Sequence, residues 1–531
     1  MTPRYALLSL SLLLLLCPVL ALAQADEVSY PDGFDEPFPH FAEALGTQSY
    51  PISSTVDSAQ VFFDQGFQMM YAFTKEDAAR SFREAQRRDP DCAICHWGEA
   101  WAWGPYLNGK MRDAEAPRAY AALQQALALR GKASEKERAL IDAMQVRYVA
   151  EGYTRDNQAP RDTAYAQALR GVYERYPDDL DIGTLYAESL FLLEPRLGTR
   201  DVNDPDIQQL HGVLEDILDR DIRHTGACHL YIHATESTQD PGLAEPCAEY
   251  IGSSIPGASH INHMPSHTWN EIGRWADAVR ANIQAWHSDQ KAAIGEGFAI
   301  YPSHNLHMLL FAASMDGQGG VAAQAGRDYH TLTGNSMYTV LTLVRFGRFD
   351  EVLEVEDRPT RSVPAGLWDF AQGYARLKTG EPEFAEAYLQ KVLTAADTSS
   401  ARFRFHPANL LLGTAGGILE GEIAWQAGDH AAAETAFRRA VALEDSLTYD
   451  EPEPLPFAAR HWLGALLLEQ ERYAEAEQVY RDELDDRPNN GWSLFGLHEA
   501  LTAQGRPDPE IEAAFETSWA RSDTWIRGSR F

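Results

Sequence analysis

The segment AQVFFDQGFQMMYAFTKEDAARSFREAQRRDP, residues 59–90, sets a pattern that recurs along the chain. It contains a glycine, an alanine, an aromatic residue and a proline at defined offsets: Gly66, Ala78, Phe82 and Pro90. Glycine and alanine let two antiparallel helices approach closely, and the ring fills the gap to the next pair. Proline ends the second helix because it has no N–H to donate. The segment therefore predicts a helical hairpin, which must stack on others because one hairpin cannot bury its own apolar face.

The same offsets recur in the C-terminal part of the chain. Counting from Phe457 gives Gly464, Ala476, Tyr480 and Pro488, and counting from Thr414 gives Gly421, Ala433, Phe437 and Ala440. These repeats resemble tetratricopeptide repeats, which are helical hairpins with a period of 34 residues. The resemblance implies an all-α fold, a right-handed α–α superhelix of antiparallel helix hairpins. We expect an N-terminal extension over residues 26–58, an N-terminal array over 59–332 and a C-terminal array over 333–531.

The N-terminus resembles a secretory signal peptide. Arg4 precedes an apolar run over residues 5–22, and small residues around Ala23 fit a signal-peptidase site, so we expect cleavage of residues 1–25. A retained anchor is the alternative, because about 18 apolar residues can just span a bilayer. Pro18 and the small residues favour cleavage. The chain is therefore expected to be periplasmic or extracellular, with no membrane contact beyond the signal peptide.

The charge of the chain excludes some partners. The formal net charge is −33 at pH 7, and no basic patch is present in the sequence. An acidic surface repels nucleic acid and anionic membranes. We therefore expect no nucleic-acid partner, whereas cations or basic peptides fit this charge.

Histidines cluster in the middle of the chain. Residues 229–307 hold eight of the 17 histidines, where an even spread would give two or three. His229/His233 and His263/His267 are each spaced i, i+4, and the second pair follows the first by 34 residues, which is one repeat period. The spacing predicts that both pairs occupy equivalent positions on neighbouring helices.

The resemblance places these histidines in the concave groove of the superhelix. In tetratricopeptide repeats, the second, fifth, ninth and twelfth residues commonly face that groove. Counted from Thr225, Ser259 and Ser303, these positions hold seven imidazoles and one carboxylate: His229, His233, His260, His263, His267, His304, His307 and Glu236. Neighbouring helix axes lie about 8–10 Å apart, a gap that two imidazoles can bridge through one metal ion. We therefore expect all seven rings to face one cavity.

Imidazole ligands suit zinc, copper, nickel or iron. Seven histidines are more than one tetrahedral metal ion can bind. We therefore expect either a dinuclear centre or a single ion with further histidines that surround its ligands. Glu236 is either a ligand or an orienting partner for an imidazole N–H. The i, i+4 pairs resemble those of zinc proteases, but Leu230 follows His229 where such a protease has its glutamate base.

The sequence therefore predicts a metal centre of divalent zinc, copper or iron, with metal-dependent redox or hydrolytic activity as an extension. Catalysis needs an open coordination position, which the sequence does not reveal. The alternative is a non-catalytic scaffold of the cell envelope that binds a peptide or protein partner in the concave groove.

Four cysteines remain after signal cleavage, which allows three disulfide connectivities. The repeat frame favours Cys92–Cys95 together with Cys228–Cys247, because the second pair lies on opposite helices of one hairpin.

The segment from Cys92 to His96 also matches the attachment motif of c-type haem. However, the motif opens the first helix of the next repeat and places His96 at a packing position, where little room exists for a porphyrin. A short-loop disulfide or two free thiols is therefore favoured over covalent haem.

Overall fold

The computed structural model describes residues 28–195 and 198–531. The predicted signal peptide, including Cys17, lies outside the described residues.

Helical hairpins make up most of the described chain. The first half contains α1 (Asp57–Tyr71), α2 (Lys75–Arg88), α3 (Ala93–Trp103), α4 (Ala116–Leu129), α5 (Glu135–Met144), α6 (Ala159–Arg175), α7 (Leu180–Phe191), α8 (Pro205–Arg220), α9 (Thr225–Thr235), α10 (Glu245–Ile251), α11 (Ser259–His263), α12 (Pro265–Glu271) and α13 (Trp275–Ala292). Short 3₁₀ turns occur at Ala42–Ala44, Arg130–Lys132, Arg155–Asn157 and Pro241–Ala244.

The second half continues the same arrangement. It contains α14 (Pro302–Met315), α15 (Gly319–Thr333), α16 (Met337–Arg345), α17 (Phe349–Glu354), α18 (Ser362–Lys378), α19 (Pro382–Thr398), α20 (Ala408–Gln426), α21 (His430–Glu444), α22 (Arg460–Glu469), α23 (Tyr473–Asp486), α24 (Gly491–Ala503) and α25 (Pro509–Trp519). Consecutive helices pack on one another through the series, except that α10 packs on α12 rather than on α11. The predicted all-α solenoid of hairpins is confirmed.

The predicted glycine and aromatic positions meet inside each hairpin. A Cβ atom added at Gly66 would lie 2.9 Å from the ring of Phe82, and one added at Gly464 would lie 2.5 Å from the ring of Tyr480. These separations are shorter than van der Waals contact, so only glycine permits this approach. The offsets therefore encode the closest helix–helix contact of the repeat.

Two local features depart from the sequence prediction. A two-residue antiparallel ladder joins β1 (Arg402–Phe403) to β2 (His406–Pro407), although the sequence predicts an all-α fold. In addition, the predicted first helix of the Ser259 repeat is divided into α11 and α12 at Met264. Pro265 has no N–H and cannot donate to the carbonyl four residues earlier, so the helix is interrupted there.

The helices build two hydrophobic cores that overlap in sequence. The first core runs from Phe34 to Phe298 and the second from Ala248 to Ile526. Helices α9 and α11 belong to the first core, α12 and α14 belong to the second, and α10 contributes to both. The histidine-bearing helices therefore lie where the two cores meet.

The C-terminal repeats fold back onto the middle of the chain. Nε1 of Trp275 donates to the carbonyl of Pro488 at 2.9 Å, and Nε1 of Trp492 donates to the carbonyl of Ser314 at 2.8 Å. The C-terminal repeats therefore contact α13 and α14, next to the predicted histidine groove. Repeat periodicity places residues within a hairpin but does not reveal this long-range closure.

Among the described residues, no helix combines the length and apolar character needed to cross a membrane.

Candidate metal centre

The predicted histidines lie on the first helices of three successive hairpins: α9, the divided helix α11–α12, and α14. His229, His233, His260, His263, His267 and His307 are buried, and His304 is half-buried. Side chains at these positions are expected to line the concave groove of the superhelix. They are enclosed by the N-terminal helices on one side and by the segment that joins α21 to α22 on the other.

Six of the seven rings form one continuous cluster. The ring centroids of His229 and His260 lie 4.8 Å apart, those of His260 and His263 5.4 Å, and those of His263 and His304 4.7 Å. His233 and His267 join the cluster with a centroid distance of 5.2 Å between them. The structure thus brings together imidazoles from three repeats, as the sequence spacing predicts.

Three of these rings form a first ligand group. His229, His233 and His260 each offer one nitrogen, and these nitrogens lie within 4.8 Å of one another. The Nε2 atoms of His229 and His260 are 3.1 Å apart. Two nitrogens bound tetrahedrally to one zinc ion at about 2.0–2.1 Å would be about 3.3 Å apart. The geometry of this group therefore suits a shared transition-metal ion.

A second ligand group has the same composition. His263, His267 and His304 also place three nitrogens within 4.8 Å of one another. The Nε2 atoms of His263 and His267 are 2.9 Å apart. Two groups of three imidazoles therefore lie side by side in the cluster.

The outer nitrogens of two rings are held by protein acceptors. Nδ1 of His229 donates to the carbonyl of Tyr71 at 2.6 Å, and Nδ1 of His263 donates to Oδ1 of Asn282 at 3.2 Å. The Asn282 amide is oriented because its Nδ2 donates to the carbonyl of Ala278 at 2.8 Å. Each neutral ring therefore carries its proton on Nδ1 and directs the lone pair of Nε2 into the cluster.

Glu236 connects the two groups. Its carboxylate is buried, with Oε1 3.0 Å from Nδ1 of His233 and Oε2 2.6 Å from Nδ1 of His267. His233 belongs to the first group and His267 to the second. One carboxylate therefore contacts an imidazole from each group, which is the position of an orienting partner or of a bridging ligand.

Glu451 is a site residue that the sequence analysis missed. It lies in the segment between α21 and α22, and its Oε2 is 3.8 Å from Nδ1 of His267. Together with His233, Glu236 and His267 it forms a third group whose ligand atoms lie within 4.8 Å of one another. The acidic, proline-rich run around Glu451 was the only sequence signal, and it indicates a loop without indicating what the loop contacts.

His267 has acceptors on both sides of its ring. Nε2 faces the lone pair of His263, and Nδ1 faces the Glu236 carboxylate. A neutral imidazole carries only one N–H, so it cannot donate in both directions. With the proton of His263 on Nδ1, His267 shares one face with a second proton or with a metal ion.

Burial favours the neutral, ligating form of the surrounding rings. Desolvation lowers the pKa of His263 well below its usual value, and the neighbouring His267 lowers it further. The same cause, reinforced by nearby histidines, lowers the pKa of His229, His260 and His304. Neutral imidazole is the form that binds a metal ion.

His307 does not join the cluster, contrary to the prediction that seven rings share one cavity. Its ring stacks on Tyr338 with a centroid distance of 4.4 Å, and it belongs to none of the three ligand groups found among the described residues. His307 follows His304 by three residues, close to one helical turn, and Tyr338 of α16 covers it there. The repeat frame identified its helix face but not this neighbouring ring.

Two aromatic residues with left-handed backbone lie against the cluster. Phe73 (φ 62°) follows α1 and packs on His229 with a centroid distance of 4.2 Å, while Tyr301 (φ 62°) precedes α14 and packs on His260 at 5.7 Å. Bulky side chains rarely adopt a positive φ, and such strain concentrates at functional sites. The sequence analysis missed both contacts because a positive φ at an aromatic residue has no sequence signature.

The four cysteines pair as the repeat frame favours. Cys228 and Cys247 form a disulfide between α9 and α10, with a Cα–Cα distance of 5.0 Å. Cys92 and Cys95 form the other, with a Cα–Cα distance of 5.4 Å. Both sulfurs of the haem-attachment motif are thus bonded to each other. The Cys228–Cys247 disulfide links the two helices of the hairpin that carries His229 and His233.

Residues 418–491 match the family model described as tetratricopeptide repeat. This segment extends from Ile418 in α20 to Gly491 at the start of α24 and contains the repeat predicted from Phe457. The chain therefore contains tetratricopeptide repeats, and the resemblance seen in the sequence is confirmed. No curated protein matches the chain significantly.

Several solved structures overlap with the chain at low identity. The P58(IPK) TPR domain is 12% identical, with 84% of this chain and 98% of that chain covered and a TM-score of 0.20. The human IFIT1 dimer with PPP-AAAA is 13% identical, with 93% and 99% covered and a TM-score of 0.31. Yeast Tom70 is 13% identical, with 89% and 93% covered and a TM-score of 0.27. These scores are low, and the fold assignment rests on the hairpins of the chain and on residues 418–491.

Proposed function

We propose that this protein is an exported helical solenoid that holds two transition-metal ions in a buried histidine centre. The observation that carries the proposal is the contact between His263 and His267, whose Nε2 atoms face each other at 2.9 Å while both outer nitrogens face acceptors. With both protons on the outer nitrogens, the lone pairs of the two Nε2 atoms face each other, and a cation between them removes their repulsion. A metal ion fits better than a proton because buried surroundings disfavour a charged imidazole.

The two groups of three histidines would each hold one ion. His229, His233 and His260 would bind the first, and His263, His267 and His304 would bind the second. Glu236 lies between His233 and His267 and would either orient these two rings or bridge the ions. Glu451, from the C-terminal array, would contact the centre at His267. A set rich in imidazole suits zinc, copper or iron.

Three protein ligands leave a fourth position for water or substrate, which is the arrangement of catalytic metal sites. A metal ion bound there would supply Lewis acidity for hydrolysis or, with copper or iron, electron transfer. We propose that a small substrate approaches through a cavity of about 410 Å³ beside Phe73, Lys75 and Tyr106. The hydroxyl of Tyr106 is hydrogen-bonded to that of Tyr301, which packs on His260.

Lys75 places an ammonium group in this cavity, whose lining also contains Glu76, Asp77 and Glu115. Its ammonium lies 4.7 Å above the ring of Tyr106 and forms no ion pair with a carboxylate of the described residues. Burial lowers the pKa of Lys75 to about 8. The ammonium is therefore positioned to receive the carboxylate or another oxyanion of a small substrate.

Export is supported by the predicted signal peptide over residues 1–25 and by the two disulfides. Disulfides persist in oxidising compartments and are rare in the cytosol.

Metal analysis of protein purified without a chelating resin tests the proposal. We expect about two ions per chain in the unchanged protein and a loss of at least one ion in the double variant His263→Ala/His267→Ala. His287 is exposed and lies in the same stretch of sequence, so His287→Ala is the matched control and should retain both ions. A protein that takes up no zinc, copper or iron, or a double variant with unchanged metal content, would overturn the centre.

A second candidate function is protein binding by the C-terminal array. It is favoured by the tetratricopeptide match over residues 418–491, because helical solenoids of this kind serve as interaction scaffolds. The histidine groove itself is closed, so a partner would use other surfaces of the array. Binding that persists in the His263→Ala/His267→Ala variant would support this scaffold function independently of the metal.

A further inference from the structure

A small acidic cavity connects the histidine cluster with the protein surface. Its inner wall contains His267 and Glu451, and its outer wall contains Asp486, which is exposed. Between them lie Glu271 and Glu453. We propose that this cavity is a transit site for a divalent cation, through which metal reaches the centre. The inference rests on the proposed function and names the route by which that centre is loaded.

Glu271 is the central residue of the path. Its carboxylate forms no hydrogen bond or ion pair with any described residue. Burial raises the pKa of Glu271 well above its usual value, and the charges of Glu453, Glu236 and Asp486 raise it further. Glu271 lines the same cavity as His267 of the centre and Asp486 of the surface.

Asn270 supplies an independent observation. It is only 5% exposed and lines the same cavity, and its Oδ1 has no hydrogen-bond donor among the described residues. Its Nδ2 points instead to the sulfur of Met308 at 3.6 Å. A buried amide oxygen without a donor is costly unless a cation or its bound water fills the position.

The nearby cations do not neutralise this path. Arg487 forms ion pairs with Glu453 at 2.5 Å, Glu483 at 2.8 Å and Asp486 at 3.1 Å, so several carboxylates share one guanidinium. The cavity lining contains one guanidinium, that of Arg487, and five acidic residues: Glu271, Asp450, Glu451, Glu453 and Asp486. The cavity therefore has an excess of acidic groups. A negative, poorly solvated passage concentrates cations and raises their association rate.

The dimensions of the cavity fit a single ion. Its volume is about 20 Å³, which accommodates about one water molecule. A cation passing through would exchange most of its water for the oxygens of Glu271, Asn270 and Glu451 before it meets the imidazoles. Carboxylate and amide oxygens are weaker ligands than imidazole for transition metals, so they can pass the ion on.

Time-resolved uptake of Zn²⁺ by the metal-free full chain tests the path. We expect Glu271→Gln to slow uptake about tenfold and Glu271→Lys to slow it further, with the final number of ions per chain unchanged. The slowing should diminish at high salt because screening weakens steering. Glu296 is exposed and lines neither this cavity nor the one beside Lys75, so Glu296→Gln is the matched control and should load at the normal rate.

The outcomes separate the path from the centre. Normal uptake rates in both Glu271 variants, with full final metal content, would overturn the path and leave the centre intact. Failure of the unchanged chain to take up Zn²⁺ would overturn the centre and the path together. Because Glu271→Gln preserves shape, a circular dichroism spectrum equal to that of the unchanged protein shows that slow uptake is not a folding defect.

Discussion

Nδ1 of His267 lies 2.6 Å from Oε2 of Glu236, and both side chains are buried. On its other face the same ring meets His263. One neutral imidazole has a single N–H and cannot donate to both neighbours. The arrangement of His267 and Glu236 therefore calls for a positive charge beside the His267 ring. The proposed metal ions supply that charge, and Glu236 fixes the orientation of the ring that receives it.

Replacement of Glu236 by glutamine should weaken metal binding without emptying the centre. The amide keeps the shape of the side chain but loses the negative charge between His233 and His267. Loss of such an orienting partner typically lowers metal affinity about 10–100-fold. Competition with a chelator of known affinity measures this change.

Glu296 is exposed, so Glu296→Gln should leave the affinity unchanged. If Glu236→Gln instead lost one ion even at saturating metal, Glu236 would be a direct ligand, and the orienting role would be wrong.

The fold could be predicted from the sequence because its contacts are local. Gly66 meets Phe82 and Gly464 meets Tyr480 within single hairpins, at separations that the repeat period determines. Local helix pairing therefore leaves a readable pattern. The division of the helix at Pro265 also follows from a property of one residue, although the prediction did not include it.

The candidate site could be predicted only in part. The repeat period brought His229, His233, His260, His263, His267 and His304 together with Glu236, because these residues occupy equivalent positions on neighbouring first helices. Glu451 comes from a segment distant in sequence and reaches His267 only because the C-terminal array folds back. Such contacts depend on how the C-terminal array folds back, and the repeat period of the sequence contains no information about that.

Metal binding should raise thermal stability. A ligand that binds only the folded state stabilises it by about 2.7 kcal/mol at a free concentration one hundred times its Kd. Calorimetry of the metal-free chain with and without zinc should therefore show a higher Tm when zinc is present. The His263→Ala/His267→Ala variant should lose most of that gain, and an identical Tm with and without metal in the unchanged protein would contradict the centre.

The metal-free protein should lose stability as the pH falls, and His307 isolates one contribution. Burial lowers the pKa of His307 well below its usual value, so below about pH 6.5 the unfolded chain binds a proton that the folded chain does not. Each such group lowers the free energy of unfolding by about 1.4 kcal/mol per pH unit until its folded-state pKa is reached.

The variant His307→Phe keeps the ring stack on Tyr338 but removes this titration. We expect the variant to gain stability relative to the unchanged protein between pH 6 and pH 5, with no change in the difference above pH 7. Urea unfolding at each pH measures the difference. Parallel stability curves would show that His307 is not buried as a neutral ring.

Substitution of Gly464 by alanine should destabilise the C-terminal array. The added Cβ would lie 2.5 Å from the ring of Tyr480, which is fully buried between neighbouring helices and cannot move away without disturbing them. Overpacking of this kind costs about 1–3 kcal/mol.

The matched control is Gly171→Ala in α6, where nothing lies within 4 Å of the added atom. There alanine should be neutral or stabilise the helix by about 0.5–1 kcal/mol, because it has the higher helix propensity. Denaturant unfolding compares the two variants, and equal effects would mean that the helices of the hairpin are farther apart than the structure shows.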